Sequence, residues 1–181
     1  MNIYIIAGPP GIGKSTSGYR FIPAEVPIID QDLAAYQYRK EGFADYQHLA
    51  TLKSNQQIKD YLFTHKDFAL ELNLGFLSHY DYLKSIAAFN PANRVHLILF
   101  YTDSVNFCLT RAEIRYKKGG HLVKSEIITE MYEQTFLLLK ENVHIFQTFR
   151  FVDVSTTSIS EVTPSLLPTW LQDEVLIKRI S

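Results

Sequence analysis

Residues 8–15 read Gly8-Pro9-Pro10-Gly11-Ile12-Gly13-Lys14-Ser15. This stretch matches the phosphate-binding pattern GxxxxGK[ST] at every fixed position. The preceding segment, residues 3–7, is short, apolar and rich in β-branched side chains, as is typical of a buried parallel strand. The pattern therefore predicts a loop that leaves a strand, binds phosphate and opens a helix.

Each residue type in this phosphate loop (residues 8–15) suits an anion. Glycines adopt backbone conformations closed to other residues and bring their N–H groups close to phosphate oxygens. Lys14 would reach the β- and γ-phosphates, the Ser15 hydroxyl would ligate Mg²⁺, and the helix dipole would add positive charge. The predicted nucleotide-binding residues are Gly8, Pro9, Pro10, Gly11, Ile12, Gly13, Lys14, Ser15 and Thr16. The alternative is a turn that carries a lysine by chance, and the motif alone does not define a reaction.

The composition of the chain bounds the class of protein. Its 181 residues fit one α/β domain, and the net charge of −1 with a pI near 6.6 argues against a strong nucleic-acid surface. The one cysteine, Cys108, allows no disulfide within the chain, and no Cys/His cluster has metal-ligand spacing. No apolar run has the length of a signal peptide or a transmembrane helix, so we expect a soluble protein of the reducing cytoplasm.

Short apolar runs alternate with longer helical stretches, which indicates βαβ units and a parallel sheet. We predict strands at residues 3–7, 28–30, 68–72, 95–101 and 149–154. Helices are predicted near residues 14–20, 31–40, 54–64, 78–89 and 105–118, and a last one starts near residue 125. The predicted fold class is α/β: a three-layer P-loop NTPase fold with a mainly parallel five-stranded sheet flanked by helices and a small lid.

The chain is predicted to form a single domain over residues 1–181, with the lid near residues 115–125. A tail over residues 160–181 is expected to pack on the body. Within it, Trp170 is interpreted as a packing anchor, with base stacking as the second choice. Cys108 falls on the apolar side of a predicted helix and is interpreted as a core residue.

Carboxylates follow two of the predicted strands, at the edge where open parallel sheets bind ligands. Asp32, with Asp30 close by, could accept the proton of an acceptor hydroxyl. Either carboxylate could instead cap the next helix, an interpretation that has about equal weight for Asp30. Glu71 interrupts an apolar strand, where a buried carboxylate needs a partner such as a metal-bound water or a substrate hydroxyl. A chance edge position is the alternative for Glu71.

Two arginines, Arg111 and Arg115, lie four residues apart on a predicted helix. Like charges at this spacing repel each other on an isolated helix. An anion between the two would reverse the effect, whereas two solvated arginines are the alternative.

These residues, taken together and in order, form a recognisable set. From the phosphate loop to about residue 155, the chain resembles the zeta-toxin-like P-loop kinases, on the segments Gly8 to Thr16, Ile29-Asp30-Gln31-Asp32, Leu70-Glu71-Leu72-Asn73, Arg111-Ala112-Glu113-Ile114-Arg115 and Gly119-Gly120-His121-Leu122-Val123. Family members of known activity phosphorylate a sugar hydroxyl of UDP-N-acetylglucosamine with ATP and Mg²⁺, and some are toxins held by an antitoxin. The resemblance thus implies ATP, Mg²⁺ and an antitoxin-like partner.

The resemblance also implies roles for individual residues. Asp32 would be the base, and Arg115, with Arg111 beside it, would stabilise the transferring phosphate from the lid. The implied substrate contacts are Glu71, Asn73 and His121.

Three positions depart from the family pattern. Lys124 replaces a common proline, Met131 replaces an arginine, and Asn73 replaces a threonine. If the missing arginine contacts phosphate in relatives, catalysis here would be weaker or would use one of three lysines instead: Lys117, Lys118 or Lys124.

The sequence thus predicts a kinase in which Lys14, Asp32, Arg111 and Arg115 are catalytic. It would transfer the γ-phosphoryl of ATP to a hydroxyl of a small molecule, with a nucleotide sugar such as UDP-N-acetylglucosamine as one option. One alternative is a different small-molecule or polynucleotide-end kinase of the same fold. The other is a nucleotide-binding regulatory protein without phosphotransfer.

Overall fold

A computed structural model describes residues 1–120, 122–155 and 159–172 of the chain. The strands are β1 (Asn2–Ala7), β2 (Ile28–Ile29), β3 (Phe68–Leu72), β4 (Arg94–Tyr101), β5 (Thr148–Asp153) and β6 (Ser160–Val162). The α-helices are α1 (Lys14–Ser17), α2 (Gln31–Lys40), α3 (Tyr46–Thr64), α4 (Leu77–Ala88), α5 (Val105–Lys117) and α6 (Ser125–Asn142). Short 3₁₀ helices cover Gly18–Phe21, Val143–Ile145 and Pro164–Leu166.

The strands form one sheet in the order β2-β3-β1-β4-β5-β6. The first five of these are parallel, and β6 pairs antiparallel with β5. β1 lies at the centre, with Ile5 opposite Leu70 of β3 on one side and Leu97 of β4 on the other. The chain first completes one side of β1, with β2 at the edge and β3 beside β1, and then builds the other side from β4 to β6. The carboxyl end of β1 is therefore the point where open α/β sheets bind ligands.

Helices cover both faces of the sheet and produce three layers. On one face, the apolar sides of α3, α4 and the end of α6 pack on the sheet, with Leu83 and Leu139 fully buried. On the other face, the segment after the phosphate loop and α5 cover the sheet, with Ile12 and Cys108 fully buried. Burial of the free Cys108 thiol confirms its interpretation as a core residue and raises its pKa to about 11.

The predicted fold class is confirmed, with one addition to the sheet. The five predicted strands are present within a residue or two of their expected bounds, and β6 extends the sheet to six strands. β6 was missed because it has three residues and exposes both Ser160 and Glu161, so no apolar alternation marks it. Its pairing is supported by Arg150 Nε, which donates to Glu161 Oε1 over 2.8 Å.

Two helices differ from the prediction. α3 begins at Tyr46 rather than near residue 54. The sequence does not indicate these first turns, because they bury little beyond Ala50 and lack a clear apolar stripe. α1 has four residues and continues as a 3₁₀ helix, so a long helix dipole does not support the phosphate loop. The backbone contribution to the positive potential then comes mainly from the loop's own N–H groups.

Trp170 anchors residues 159–172 to the body of the protein. Its ring makes edge-to-face contacts with Tyr101 and Phe136, each with centroids 5.9 Å apart. Its indole N–H donates to Asp103 Oδ1 over 2.9 Å, which satisfies the polar end of the side chain. These contacts confirm the packing role of Trp170, while residues 173–181 of the predicted tail lie outside the described residues.

None of the helices in the described ranges is long and apolar enough to cross a membrane.

Candidate active site

The phosphate loop is wedged between the end of β4 and α5. Gly11 has a φ of +83°, and a Cβ at this position would lie 2.3 Å from the carbonyl oxygen of Cys108 in α5. A Cβ on Gly8, which has a φ of +136°, would lie 2.6 Å from the carbonyl oxygen of Phe100. Only glycine combines these conformations with such close backbone contact. The surrounding backbone therefore holds the loop in one shape.

Lys14 is folded back along the loop and is almost completely buried. Its Nζ donates hydrogen bonds to the carbonyl oxygens of Gly8 and Pro9, over 2.7 and 3.2 Å, and to Asn73 Oδ1 over 2.8 Å. These bonds use all three ammonium hydrogens. Burial lowers the pKa of Lys14, although the carboxylate of Glu71 opposes this effect. A phosphate oxygen that reaches Nζ must therefore exchange with one of these three acceptors.

Glu71 lies at the end of β3, opposite the start of α1. Ser15 Oγ donates to Glu71 Oε1 over 2.8 Å, although the two residues are 56 positions apart. Burial raises the pKa of Glu71 to about 7, and the positive charge of Lys14 opposes the rise. The carboxyl group that the sequence singled out therefore contacts the loop directly.

The oxygen atoms around Ser15 suit a hard cation such as Mg²⁺. The Ser15 hydroxyl faces Glu71, while Asp30 and Asp32 line the same cleft. Within the described residues, no group of three or more His, Cys, Asp or Glu side chains could hold a metal. A magnesium ion at Ser15 would thus take most of its ligands from nucleotide phosphates and water, as Mg²⁺ commonly does.

The two carboxylates at the start of α2 have different environments. Asp30 Oδ1 accepts a hydrogen bond from the backbone N–H of Leu33 over 2.9 Å and caps the helix. Asp32 lies in the first turn, is exposed, and lines the cleft above the phosphate loop. The structure therefore gives the capping role to Asp30 and leaves the Asp32 carboxylate facing the cleft.

Both arginines of α5 lie at the same cleft. The Arg111 guanidinium lies 5.1 Å from the Phe107 ring centroid and would contact a Cβ at Gly13. Arg115 is half-buried, and its Nε and Nη2 atoms have no hydrogen-bond partner in the described part of the chain. A guanidinium with buried, unpaired N–H groups favours an anionic ligand.

The lysines considered as substitutes for a missing arginine differ in position. Lys118 lines the cleft, whereas Lys117 is exposed and pairs with Glu113 over 2.6 Å. Lys124 is exposed at the start of α6. Met131, at the position of the missing arginine, is buried. A Cβ on Gly75 would lie only 2.7 Å from the atoms of Met131. Lys118 is therefore the one of these lysines that lines the cleft.

The cleft has a volume of about 630 Å³ and brings together most of the predicted site residues. They are Pro10, Gly11, Gly13, Lys14, Ser15, Thr16, Asp32, Glu71, Asn73, Arg111 and Arg115. Within the loop, Gly8 packs against Phe100 of β4, the Pro9 carbonyl accepts a hydrogen bond from Lys14, and Ile12 is buried in the core. His121 lies outside the described residues.

Sequence reasoning missed several cleft residues. Leu33 and Tyr36 of α2 and Ile114 of α5 line it with exposed apolar side chains. The sequence signal for these cleft residues was three large apolar side chains at helix positions that do not pack in the core. They form the apolar part of the cleft wall.

Comparisons with solved structures agree with this architecture. A chain from the PezAT chromosomal toxin–antitoxin system of Streptococcus pneumoniae is similar, with a TM-score of 0.67 and 17% identity over 99% of this chain and 78% of that one. A candidate kinase from Chloroflexus aurantiacus is similar with a TM-score of 0.52 and 17% identity, over 65% of this chain and 68% of the other. No protein-family model matches the sequence, and no curated protein matches it significantly.

The fold and the loop geometry together define a P-loop NTPase fold. More narrowly, the likeness to the PezAT chain confirms, at the level of fold, the resemblance to the zeta-toxin-like P-loop kinases. An identity of 17% supports the fold and leaves the reaction to be argued from the site.

Proposed function

We propose that the protein is a kinase that transfers the γ-phosphoryl group of ATP to a hydroxyl of a small molecule, with Mg²⁺. The observation that carries the proposal is the Arg115 guanidinium at the cleft that holds Lys14 and Asp32, because its buried Nε and Nη2 have no hydrogen-bond partner among the described residues. A positive group with two N–H positions that no described residue accepts from, beside a phosphate loop, suits a phosphoryl group that gains charge during transfer.

Each residue has a role in the proposed reaction. The loop from Gly8 to Thr16 binds the phosphates of ATP, Lys14 exchanges a loop carbonyl for a phosphate oxygen, and Asp32 accepts the acceptor's hydroxyl proton. Arg115 and Arg111 stabilise the transferring group. Mg²⁺, when bound at Ser15, neutralises charge on the β- and γ-phosphate oxygens.

The acceptor side of the cleft is assigned to Glu71, Asn73 and His121. Asn73 bonds to Lys14, so it would also position the lysine when the acceptor is absent. Residues 115–125 run from the end of α5 to the first residue of α6, and Arg115, Lys118 and Gly120 line the cleft. This range is proposed as the lid of a single domain over residues 1–181. UDP-N-acetylglucosamine is the specific acceptor that the family resemblance supports.

The likeness to a chain of a toxin–antitoxin system supports a second proposal, an antitoxin-like protein partner. If this holds, expression of the chain alone should arrest growth, and Lys14→Ala should relieve the arrest. Normal growth with the active protein at a high level would count against a toxin role without affecting the kinase proposal.

The function can be tested by incubating the protein with ATP, Mg²⁺ and a panel of acceptors. The panel contains free sugars and polyols, sugar nucleotides and an oligonucleotide with a 5′ hydroxyl, and mass spectrometry detects phosphorylated products. We expect one small molecule to be phosphorylated and Lys14→Ala to form no product. Product on the oligonucleotide alone would favour a polynucleotide-end kinase. Tight ATP binding without any product would favour a regulatory protein.

A further inference from the structure

A separate cavity of about 300 Å³ lies beside the phosphate-loop cleft. It is formed by α3, α4 and the end of β3, and we refer to it as the α3–α4 cavity. Its polar lining consists of Gln31, Ser54, Asn55, Glu71, His79 and Tyr82. Glu71 lines both this cavity and the phosphate-loop cleft, so its side chain borders both spaces.

Two residues that line the cavity each carry a buried polar atom without a partner among the described residues. Ser54 is 3% exposed, and its hydroxyl makes no hydrogen bond to any described residue. The Nδ1 atom of His79 is also buried and is likewise unpaired within the described residues. The two residues come from different helices and line the same cavity. Buried polar groups are normally paired, so the pair indicates an occupant that forms hydrogen bonds.

The charges around the cavity restrict what this occupant can be. Among the described residues, no lysine or arginine lines it, and Glu71 is the single carboxyl group. Burial lowers the pKa of His79, with Lys14 adding to the effect, so the ring is neutral near pH 7. A phosphate would therefore meet no positive partner here, whereas a neutral molecule carries no such cost.

The apolar lining of the cavity further restricts the kind of molecule that fits. Ile58 and Leu70 give the cavity apolar sides, and the ring of Tyr82 adds an aromatic one. Apolar walls with a few convergent hydrogen-bonding groups are typical of small-molecule sites. A sugar or polyol presents both surfaces, because its C–H faces are apolar and its hydroxyls donate and accept.

We propose that the α3–α4 cavity binds the phosphoryl acceptor as an uncharged polyhydroxyl compound, with Ser54 and His79 as its hydrogen-bonding partners. This inference rests on the kinase function proposed above and narrows its acceptor. Glu71 borders both the cavity and the cleft and contacts Ser15 over 2.8 Å. In the proposed complex, one hydroxyl of the occupant extends past Glu71 towards the phosphate loop.

The proposed transfer forms one bond, breaks one bond and moves one proton. The acceptor oxygen forms a bond to the γ-phosphorus, the bond from that phosphorus to the β–γ bridging oxygen breaks, and ADP leaves. The hydroxyl proton passes to the Asp32 carboxylate in the cleft. The diphosphate of a nucleotide sugar has no place in this cavity, which departs from the acceptor that the family resemblance implies.

The test measures binding by calorimetry on the full chain with a non-hydrolysable ATP analogue and Mg²⁺. The neutral probes are glucose, myo-inositol and glycerol, and the charged probes are glucose 6-phosphate and UDP-N-acetylglucosamine. Ser54→Ala and His79→Phe are compared with Ser85→Ala as the control, because the exposed Ser85 hydroxyl bonds only to its own helix at the Tyr82 carbonyl.

We expect a neutral probe to bind and each of the two variants to weaken it about tenfold, the usual effect of one lost hydrogen bond to a ligand. Affinity for the ATP analogue and the melting temperature of Ser54→Ala should stay unchanged, since the hydroxyl has no partner in the described chain. Ser85→Ala should behave like the unmodified protein.

Three results would overturn the inference: binding of charged probes alone, neutral binding that neither variant weakens, or no probe binding while the ATP analogue binds. The kinase proposal fails separately. If the ATP analogue does not bind but a neutral probe binds through Ser54 and His79, the cavity is supported and the kinase function is not.

Discussion

The hydroxyl of Ser15 donates a 2.8 Å hydrogen bond to Oε1 of Glu71, which joins the phosphate loop to the end of β3. The bond uses the hydroxyl hydrogen and leaves the lone pairs of the Ser15 oxygen free to ligate Mg²⁺. A metal ion bound at Ser15 would therefore lie close to the Glu71 carboxylate, which could contact a metal-bound water or the acceptor. The Ser15–Glu71 contact therefore links binding of nucleotide and metal at the phosphate loop with the carboxylate on the acceptor side of the cleft.

Ser15→Ala should weaken the Mg²⁺-dependent part of ATP binding by about tenfold, because it removes one oxygen ligand worth about 1–2 kcal/mol. Calorimetric titration of ATP with and without Mg²⁺ measures this part directly. Ser15→Thr is the matched control, since threonine also fits the loop pattern and keeps the hydroxyl. Equal Mg²⁺ dependence in all three proteins would contradict the metal role of Ser15.

Glu71→Gln should change how stability depends on pH. Burial raises the pKa of Glu71 from 4.5 to about 7, so the folded protein binds this proton more tightly than the unfolded chain. Stability from this group is therefore complete below pH 4.5 and falls as the pH rises towards 7. The neutral glutamine avoids the loss, so the variant should melt like wild type near pH 4.5 and at higher temperature above pH 7.

The control for this experiment is Glu133→Gln, which changes an exposed glutamate on α6. Thermal melts in one buffer series from acid to neutral pH compare the three proteins. A difference between Glu71→Gln and wild type that stays constant across the series would mean that Glu71 titrates normally.

Arg115→Ala should lower the rate of phosphoryl transfer by about 10²–10³ while ATP binding changes little, as expected for a group that acts mainly on the transition state. Single-turnover kinetics with saturating ATP separates the two effects. Lys117→Ala is the control, because Lys117 is also near the end of α5 but pairs with Glu113 in solvent. Equal losses in both variants would point to a general effect of charge instead of a specific role for Arg115.

Gly11→Ala should destabilise the fold by about 2–5 kcal/mol, because a left-handed backbone and a backbone clash add together. Gly42 isolates the first effect, since its φ is +89° and nothing lies within 4 Å of a Cβ there. Gly42→Ala should therefore cost only about 1–2 kcal/mol. Urea denaturation gives both values, and equal losses would show that the loop moves away from Cys108 without cost.

Asp30→Ala and Asp32→Ala should separate structure from chemistry at the start of α2. Loss of the Asp30 cap on the Leu33 N–H should cost about 1 kcal/mol of stability. Asp32 is exposed, so its loss should change stability by no more than about 0.5 kcal/mol. The transfer rate of Asp32→Ala should instead fall by about 10²–10⁴. Wild-type turnover by this variant would remove Asp32 as the base.

Much of the fold is predictable because its signals are local. Neighbouring residues predict three features that the structure contains: the strand before Gly8, the glycine conformations of the loop and the strand at residues 68–72. β6 and the start of α3 were missed because neither carries a periodic apolar pattern. Short or weakly amphipathic elements depend on what they pack against, which adjacent residues do not reveal.

The features of the candidate site likewise fall into two groups, those that single positions predict and those that depend on tertiary packing. The sequence by itself determined the phosphate loop and the residue types around it, because backbone freedom and side-chain chemistry belong to single positions. Only the tertiary structure decided that Asn73 holds Lys14 and that Ser54 and His79 line one cavity. These pairs are distant in sequence and meet because β3 lies beside β1 and because α3 and α4 pack on one face of the sheet. Strand order and helix packing, which no local pattern encodes, set the partners of each polar group.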